Sequence, residues 1–551
     1  MSAPTHLPQP IILIRGFGGL DVAEEKKDTY QRFNIGTVYP HKKGENFIYE
    51  GMVLRLMKSQ WRYQDATNVI GYYGKVRNYP VKLPPQVEFS NNQALIAKFN
   101  LWQQRGYFSG DKVVIDPDMA FNFLETVTDP WRTLWVFRYY DLDERDFPTY
   151  GDKLVRLIDL IRELTAQSGL GKPKVNIVAH SMGGLIVREA IQDTYPRQYR
   201  KAEDYINKIV TLGTPHQGIS FQIIRYWLPF IEAGEELERF YPEKPGKNPH
   251  NEKAYFNFYK YFPLERLLTV VGTNYHAYDN VASTLNRFFP REGEFGTNYN
   301  HSDGLVKQSA AQIPGSPRTF VHKSHGGNDS LISSRESYEI ATRFFFGNIQ
   351  VRLRFVKGKV TRGKDFFGKS EFYFGVSIKP RGVDFELFHQ SKAAENCYGP
   401  FSLVDPVDNN VDFREDNQDL AFQWADDHKL IWQGYLDTAR SINSRDLVFR
   451  IEFYVSERDL LGFGFSDNIV FHEQFYIRAL QSTDSQTEPV LYLHSNERFA
   501  DPKFTYSSTD KPLPKVAKGW EFAIGAEDLG FTGTFLIEIE KLFEKAHNFQ
   551  N

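Results

Sequence analysis

The sequence predicts an α/β protein: a mostly parallel sheet with helices on both faces, followed by a β-rich region. Three observations predict it. Through the first two-thirds of the chain, short apolar runs suited to fully buried strands alternate with helical patterns. Two long excursions interrupt that alternation, at about 20–130 and 220–263. Beyond Gly347 the pattern changes to period two.

Each element has a local reason. Residues 10–14 (PIILI) read as a short buried strand that ends at Gly16. Residues 133–138 (TLWVFR) read as another. Residues 153–165 (KLVRLIDLIRELT) space their apolar side chains as a helix does, and Gly169, Gly171 and Pro173 stop it. Residues 174–179 form a third strand, and a helix follows over 182–191. Further strands are expected at 208–212, 267–271 and 319–322, with a closing helix around 334–346. Excursions as long as 20–130 and 220–263 are read as caps or lids. The second carries Phe221, Ile223, Ile224, Tyr226, Trp227, Leu228, Phe230 and Ile231, enough apolar surface to cover a cleft. Beyond Gly347, alternation at 351–355, 372–376, 447–455 and 534–542 predicts a sandwich-like domain. The expected division is 1–347 and 348–551.

Composition bounds the function. The chain has 551 residues, 66 Lys+Arg against 69 Asp+Glu, and a formal net charge of -3. No basic excess exists to pair with phosphates, so a nucleic-acid partner is not expected. The single cysteine, Cys397, forbids an internal disulfide. The first ten residues show no basic segment leading into an apolar one. No run approaches the ~18 apolar residues of a membrane span. The chain is therefore expected in the cytoplasm, or exported without a cleavable signal peptide, with no transmembrane segment. Its 46 Phe and 30 Tyr are read mainly as core and strand residues.

The sharpest chemical signal is Ala179-His180-Ser181-Met182-Gly183-Gly184. A buried strand ends, a serine stands at the turn, and a helix begins. A nucleophilic serine needs this context, because a strained turn lifts its hydroxyl clear of the sheet. Small residues two before and two after it, Ala179 and Gly183, allow strand and helix to approach closely. The competing reading is a plain serine helix cap. Acyl transfer also needs two main-chain N–H groups to bind the developing oxyanion. Met182, next to Ser181, supplies one, and Phe17 in the loop Arg15-Gly16-Phe17-Gly18-Gly19 is assigned the other.

The partners follow in the order serine, acid, histidine. His301-Ser302-Asp303-Gly304-Leu305-Val306 fits the acid best, with Asp279 as runner-up and Asp329 too late. Residues 320–327 offer two histidines as base. His325, in the glycine-rich loop, is preferred over His322, at the strand end. His180 is expected to face away.

Together these pieces resemble the lipase branch of the α/β hydrolases. Ala-His-Ser-Met-Gly-Gly is joined by Gly213-Thr214-Pro215-His216-Gln217-Gly218, a phrase typical of bacterial true lipases. GPI-inositol deacylases and lecithin–cholesterol acyltransferase-type enzymes carry related arrangements. The resemblance implies an α/β-hydrolase fold, Ser181, Asp303 and His325 as triad, and Phe17 and Met182 as oxyanion donors. It makes His216 structural. It covers 10–19 and roughly 134–346. The family's usual His-Gly before the oxyanion donor is Arg15-Gly16 here. It implies a lipid or acyl-ester substrate, peripheral contact with a membrane, and no required cofactor.

The region beyond Gly347 is less telling. Residues 453–459 and 464–469 faintly resemble loops of C2-type sandwiches, and Asp405, Asp408, Asp412, Glu415 and Asp416 cluster acidic oxygens. Such loops could hold Ca²⁺. Solvated acidic loops are the preferred reading. Three functions fit the whole: hydrolysis of a lipid ester, acyl transfer or glycolipid deacylation at the same site, and a non-catalytic binding protein.

Overall fold

The structure, a computed structural model, describes residues 7–16, 51–72, 82–109, 113–139, 146–218, 253–275, 302–327, 329–360, 370–383, 429–438, 446–459, 468–481, 488–507 and 509–542, with shorter pieces between them. Seven strands form the central sheet. They are β1 (Ile11–Ile14), β2 (Gln64–Asp65), β3 (Thr133–Val136), β4 (Val175–His180), β5 (Ile206–Leu212), β6 (Leu267–Gly272) and β7 (Arg318–Val321). Their order is β7-β6-β5-β4-β1-β3-β2, and every neighbouring pair is parallel.

The apolar runs of β1 and β4 are continuous because both faces of the sheet are covered. Ile12 and Ile14 point into one cluster with helices α1 (Phe147–Leu164) and α2 (Met182–Glu189). Ile11 and Leu13 point into the other, with helix α3 (Arg335–Phe346). Asp146 caps α1 by accepting the Thr149 N–H at 2.7 Å, which starts the helix six residues before its apolar periodicity becomes regular. The chain continues past α2 through a π-helical segment, Ala190–Thr194, so this helical stretch outlasts the expected end at residue 191.

The first insertion does more than interrupt. Its described part supplies the edge strand β2. Phe99, Trp102, Phe108, Val113, Ile115 and Phe123 from it join the cluster around α1. The apolar stretch 221–231 of the second insertion lies outside the described residues.

After α3, two residues lead into the antiparallel region. One sheet orders β12-β8-β18-β17-β16: β8 (Ile349–Val360), β12 (Lys429–Leu436), β16 (Lys515–Val516), β17 (Gly519–Ala526) and β18 (Phe531–Lys541). The other orders β10-β9-β13-β14-β15: β9 (Ser370–Pro380), β10 (Phe388–His389), β13 (Asp446–Asp459), β14 (Asn468–Leu480) and β15 (Val490–His494). A further strand, β11 (Tyr398–Phe401), also pairs with β9. Both sheets turn aromatic side chains inward. Phe453 and Phe535 lie 4.6 Å apart between ring centres, and Phe374 stacks on Phe535 at 5.8 Å. The architecture is the expected one, a parallel sheet between helices followed by a β-rich sandwich. Among the described residues no helix is long and apolar enough to cross a membrane.

Candidate active site

Strand β4 ends at His180, and Ser181 takes φ 53° and ψ -127° before α2 begins. For a residue with a side chain this left-handed backbone costs about 1–3 kcal/mol, and it persists only where the surroundings enforce it. The Ser181 N–H donates to Leu212 O at 2.9 Å, and its carbonyl accepts from Gly184 N at 3.0 Å. A Cβ on Gly16 would lie 2.3 Å from Ser181 Cβ, and one on Gly183 would lie 2.6 Å from Ile14 O. The glycines around the turn are therefore required by close approach.

His325 brings its Nε2 to 2.9 Å from Ser181 Oγ and its Nδ1 to 2.9 Å from Asp303 Oδ2. The carboxylate accepts, so Nδ1 carries the hydrogen and Nε2 is left to accept from the hydroxyl. Ser181, His325 and Asp303 are 6%, 4% and 1% exposed, so little water competes for these bonds. Asp303 is held at its other oxygen. Its Oδ1 accepts the N–H of Leu305 at 3.0 Å and of Val306 at 2.8 Å. The main chain closes the arrangement, with His325 N donating to Asp303 O at 2.8 Å.

The alternatives lie elsewhere. His322 Nδ1 faces Thr273 Oγ1 at 3.2 Å, and its ring lies 5.9 Å from that of His389. Asp329 pairs with Lys323 at 2.7 Å, and Lys323 also reaches Glu336 at 3.2 Å, bracing the loop that carries His325. Asp279 and Phe17 lie outside the described residues. Met182 is the first residue of α2, where a backbone N–H has no partner within the helix.

Two histidines near the site have other work. His180 does not face away as expected: its Nε2 donates to His325 O at 2.9 Å, with the two rings 4.9 Å apart. His216 is fully buried, 3.0 Å from Thr211 Oγ1, and its carbonyl accepts from Arg188 at 2.6 Å. Burial, with the Arg188 charge nearby, holds its pKa far below the usual histidine range.

Two glycines were not singled out as site residues from sequence. A Cβ on Gly213 would lie 2.8 Å from Asp303 Oδ2 and 3.2 Å from His325 Nδ1. One on Gly272 would lie 2.7 Å from Asp303 Cβ. Both stand at the ends of neighbouring strands, β5 and β6, where Asp303 passes. In the sequence both follow apolar runs directly, and Gly213 also opens the phrase at 213–218.

The acidic stretch 405–416 considered for Ca²⁺ falls largely outside the described residues. Among the described residues, no group of three or more His, Cys, Asp or Glu side chains is placed to hold a metal ion.

A family described as a PGAP1-like alpha/beta domain matches residues 135–242, a stretch that includes Ser181 and His216 and stops before Asp303. Among solved structures, the lin2722 gene product of Listeria innocua matches at 14% identity and a TM-score of 0.28, covering 62% of this chain and 94% of that one. The mature lipase BlEst2 of Bacillus licheniformis matches at 15% and 0.23, covering 62% and 95%. Phospholipase PlaB of Legionella pneumophila matches at 14% and 0.24, covering 61% and 82%. No curated protein matches the chain.

Proposed function

We propose that this chain, an α/β hydrolase of the lipase branch, cleaves a carboxylic ester of a lipid through an acyl-enzyme on Ser181. One observation carries the reading: an unbroken hydrogen-bonded chain from Ser181 through His325 to Asp303, beginning at a strained strand-to-helix turn. The lipid class is supported by the phrase at 213–218 and by the family match over 135–242.

In this reading Ser181 Oγ attacks the ester carbonyl while His325 Nε2 takes its proton. Asp303 keeps the imidazole in the required tautomer and stabilises the imidazolium. The carbonyl oxygen becomes an oxyanion, and the Met182 N–H receives it at the positive end of α2. Phe17, assigned from the sequence, supplies the second N–H. Collapse expels the alcohol, which takes the proton from His325 and leaves the acyl group on Ser181. Water then attacks with His325 as base, releasing the acid. Every proton has a protein group to carry it, so the reaction calls on no metal or organic cofactor. The substrate class brings the protein to lipid surfaces.

The test is active-site labelling with a fluorophosphonate, together with turnover of a lipid ester. Wild type should label at Ser181 and hydrolyse the ester, and Ser181→Ala should do neither at an unchanged melting temperature. Full turnover in Ser181→Ala would remove the assignment.

A further inference from the structure

The acid loop is not held by the parallel sheet alone. The two N–H groups that fix Asp303 Oδ1 belong to Leu305 and Val306. Their side chains lie in one buried cluster with the interior of the β-sandwich, including Val351, Phe374, Phe388 and Tyr398. Ala310 and Ala311, further along the loop, join the same cluster.

The polar contacts agree. The buried Gln308 donates to Ala394 O at 3.0 Å. Arg318, at the start of β7, donates to Tyr398 Oη at 2.9 Å, and Tyr398 in turn donates to Ile431 O at 2.7 Å. Thr319 Oγ1 donates to Leu387 O, and the Phe320 and Phe388 rings meet at 5.5 Å. Leu387, Phe388, Ala394 and Tyr398 therefore grip both the loop that carries Asp303 and the strand that leads to His325.

We infer that this segment of the sandwich is a positioning element for the catalytic pair, and that Phe388 and Gln308 act through it. The inference rests on the proposed roles of Ser181, His325 and Asp303. A carboxylate displaced by about 1 Å no longer orients the imidazole, and an error of that size costs on the order of a hundredfold in rate. The sandwich then supplies activity without touching substrate.

The experiment compares the full-length wild type with Phe388→Ala, Phe388→Leu and Gln308→Leu, using a short soluble ester that needs no lipid surface. The expected result for Phe388→Ala is a kcat at least tenfold lower with KM unchanged. The rate of fluorophosphonate labelling should fall in parallel, and the far-ultraviolet dichroism should be native. Phe388→Leu, which refills the site, should recover most of the rate. Gln308→Leu keeps the side-chain volume and loses only the bond to Ala394, so it tests the same point if Phe388→Ala does not fold. Wild-type kcat in folded Phe388→Ala or Gln308→Leu overturns the inference while leaving the triad standing. A wild type that neither labels at Ser181 nor turns over ester overturns the triad and the inference with it.

Discussion

His180 Nε2 donates to the main-chain carbonyl of His325 at 2.9 Å, so the residue before Ser181 holds the backbone of the loop that carries His325. The strand that positions Ser181 and the loop that positions His325 are thereby tied at one point. Replacing His180 by Ala removes that tie and leaves the side chains of Ser181, His325 and Asp303 intact. The expected result is a kcat about tenfold lower, the rate equivalent of one hydrogen bond of about 1–1.5 kcal/mol. Steady-state kinetics on a short ester measures it, and an unchanged kcat would show that the loop is held without His180.

Asp303→Asn tests the role proposed for Asp303. An amide fits the same space but does not stabilise an imidazolium and favours the wrong tautomer. A loss of about 10³–10⁴ in kcat is expected, with the fold intact. His322→Ala, by contrast, removes a side chain that faces Thr273 and His389, and should stay within a few-fold of wild type. Equal losses in the two variants would remove the distinction between them.

Gly213→Ala places a methyl 2.8 Å from Asp303 Oδ2 at a position whose φ is 55°. The acid has to move, and the new side chain adopts a backbone that L-residues resist. Activity should fall at least tenfold, more than at Gly169→Ala, where a Cβ would meet nothing within 4 Å although φ is also positive. The comparison separates collision with the acid from backbone strain alone, and equal effects would point to strain.

The burial of His216 predicts a pH dependence of stability. In the unfolded chain this imidazole takes up a proton near pH 6.5. In the folded chain its pKa is far lower, because burial and Arg188 disfavour the charge. Between those values the unfolded state binds the extra proton, so stability is present above about pH 6.5 and is lost as the pH falls below it. Denaturant titrations at pH 7.5 and 5.5 should therefore differ by more in the wild type than in His216→Gln. A difference of the same size in both would assign the acid sensitivity to other groups.

Removal of residues 348–551 is expected to abolish cleavage of short soluble esters as well as of aggregated lipid. Leu305, Val306 and Phe320 would lose the partners that bury them. A truncated chain that still cleaves short esters at the wild-type rate would show that the acid loop holds itself.

Much of this was readable from residues alone, for identifiable reasons. The central strands announce themselves because burial on both faces forces unbroken apolar runs, as in Ile11–Ile14. Ser181 stood out because strand, turn and helix must follow one another within a few residues. His325 and Asp303 were found through chain order and glycine-rich loops, and the structure brings both to hydrogen-bonding distance of their partners. Other features gave no local sign. The two-residue strand β2 is too short to show periodicity. The contact between His180 and His325 joins residues 145 apart, which no pattern along the chain displays. Leu305 and Val306 belong to the Ser-Asp-Gly-Leu-Val stretch that resembles a lipase acid loop, but only the fold shows that their amides hold Asp303 while their side chains pack against the sandwich.

Ser181, Asp303 and His325 come from different stretches of the chain, 144 residues from Ser181 to His325 and 22 from Asp303 to His325. Two of them hang on β6 and β7, the last strands on one side of the sheet. Opening of that margin alone would scatter the centre while most helices and strands kept their signal. Loss of turnover in mild urea should thus precede loss of ellipticity, making catalysis the more sensitive gauge of how this molecule comes apart.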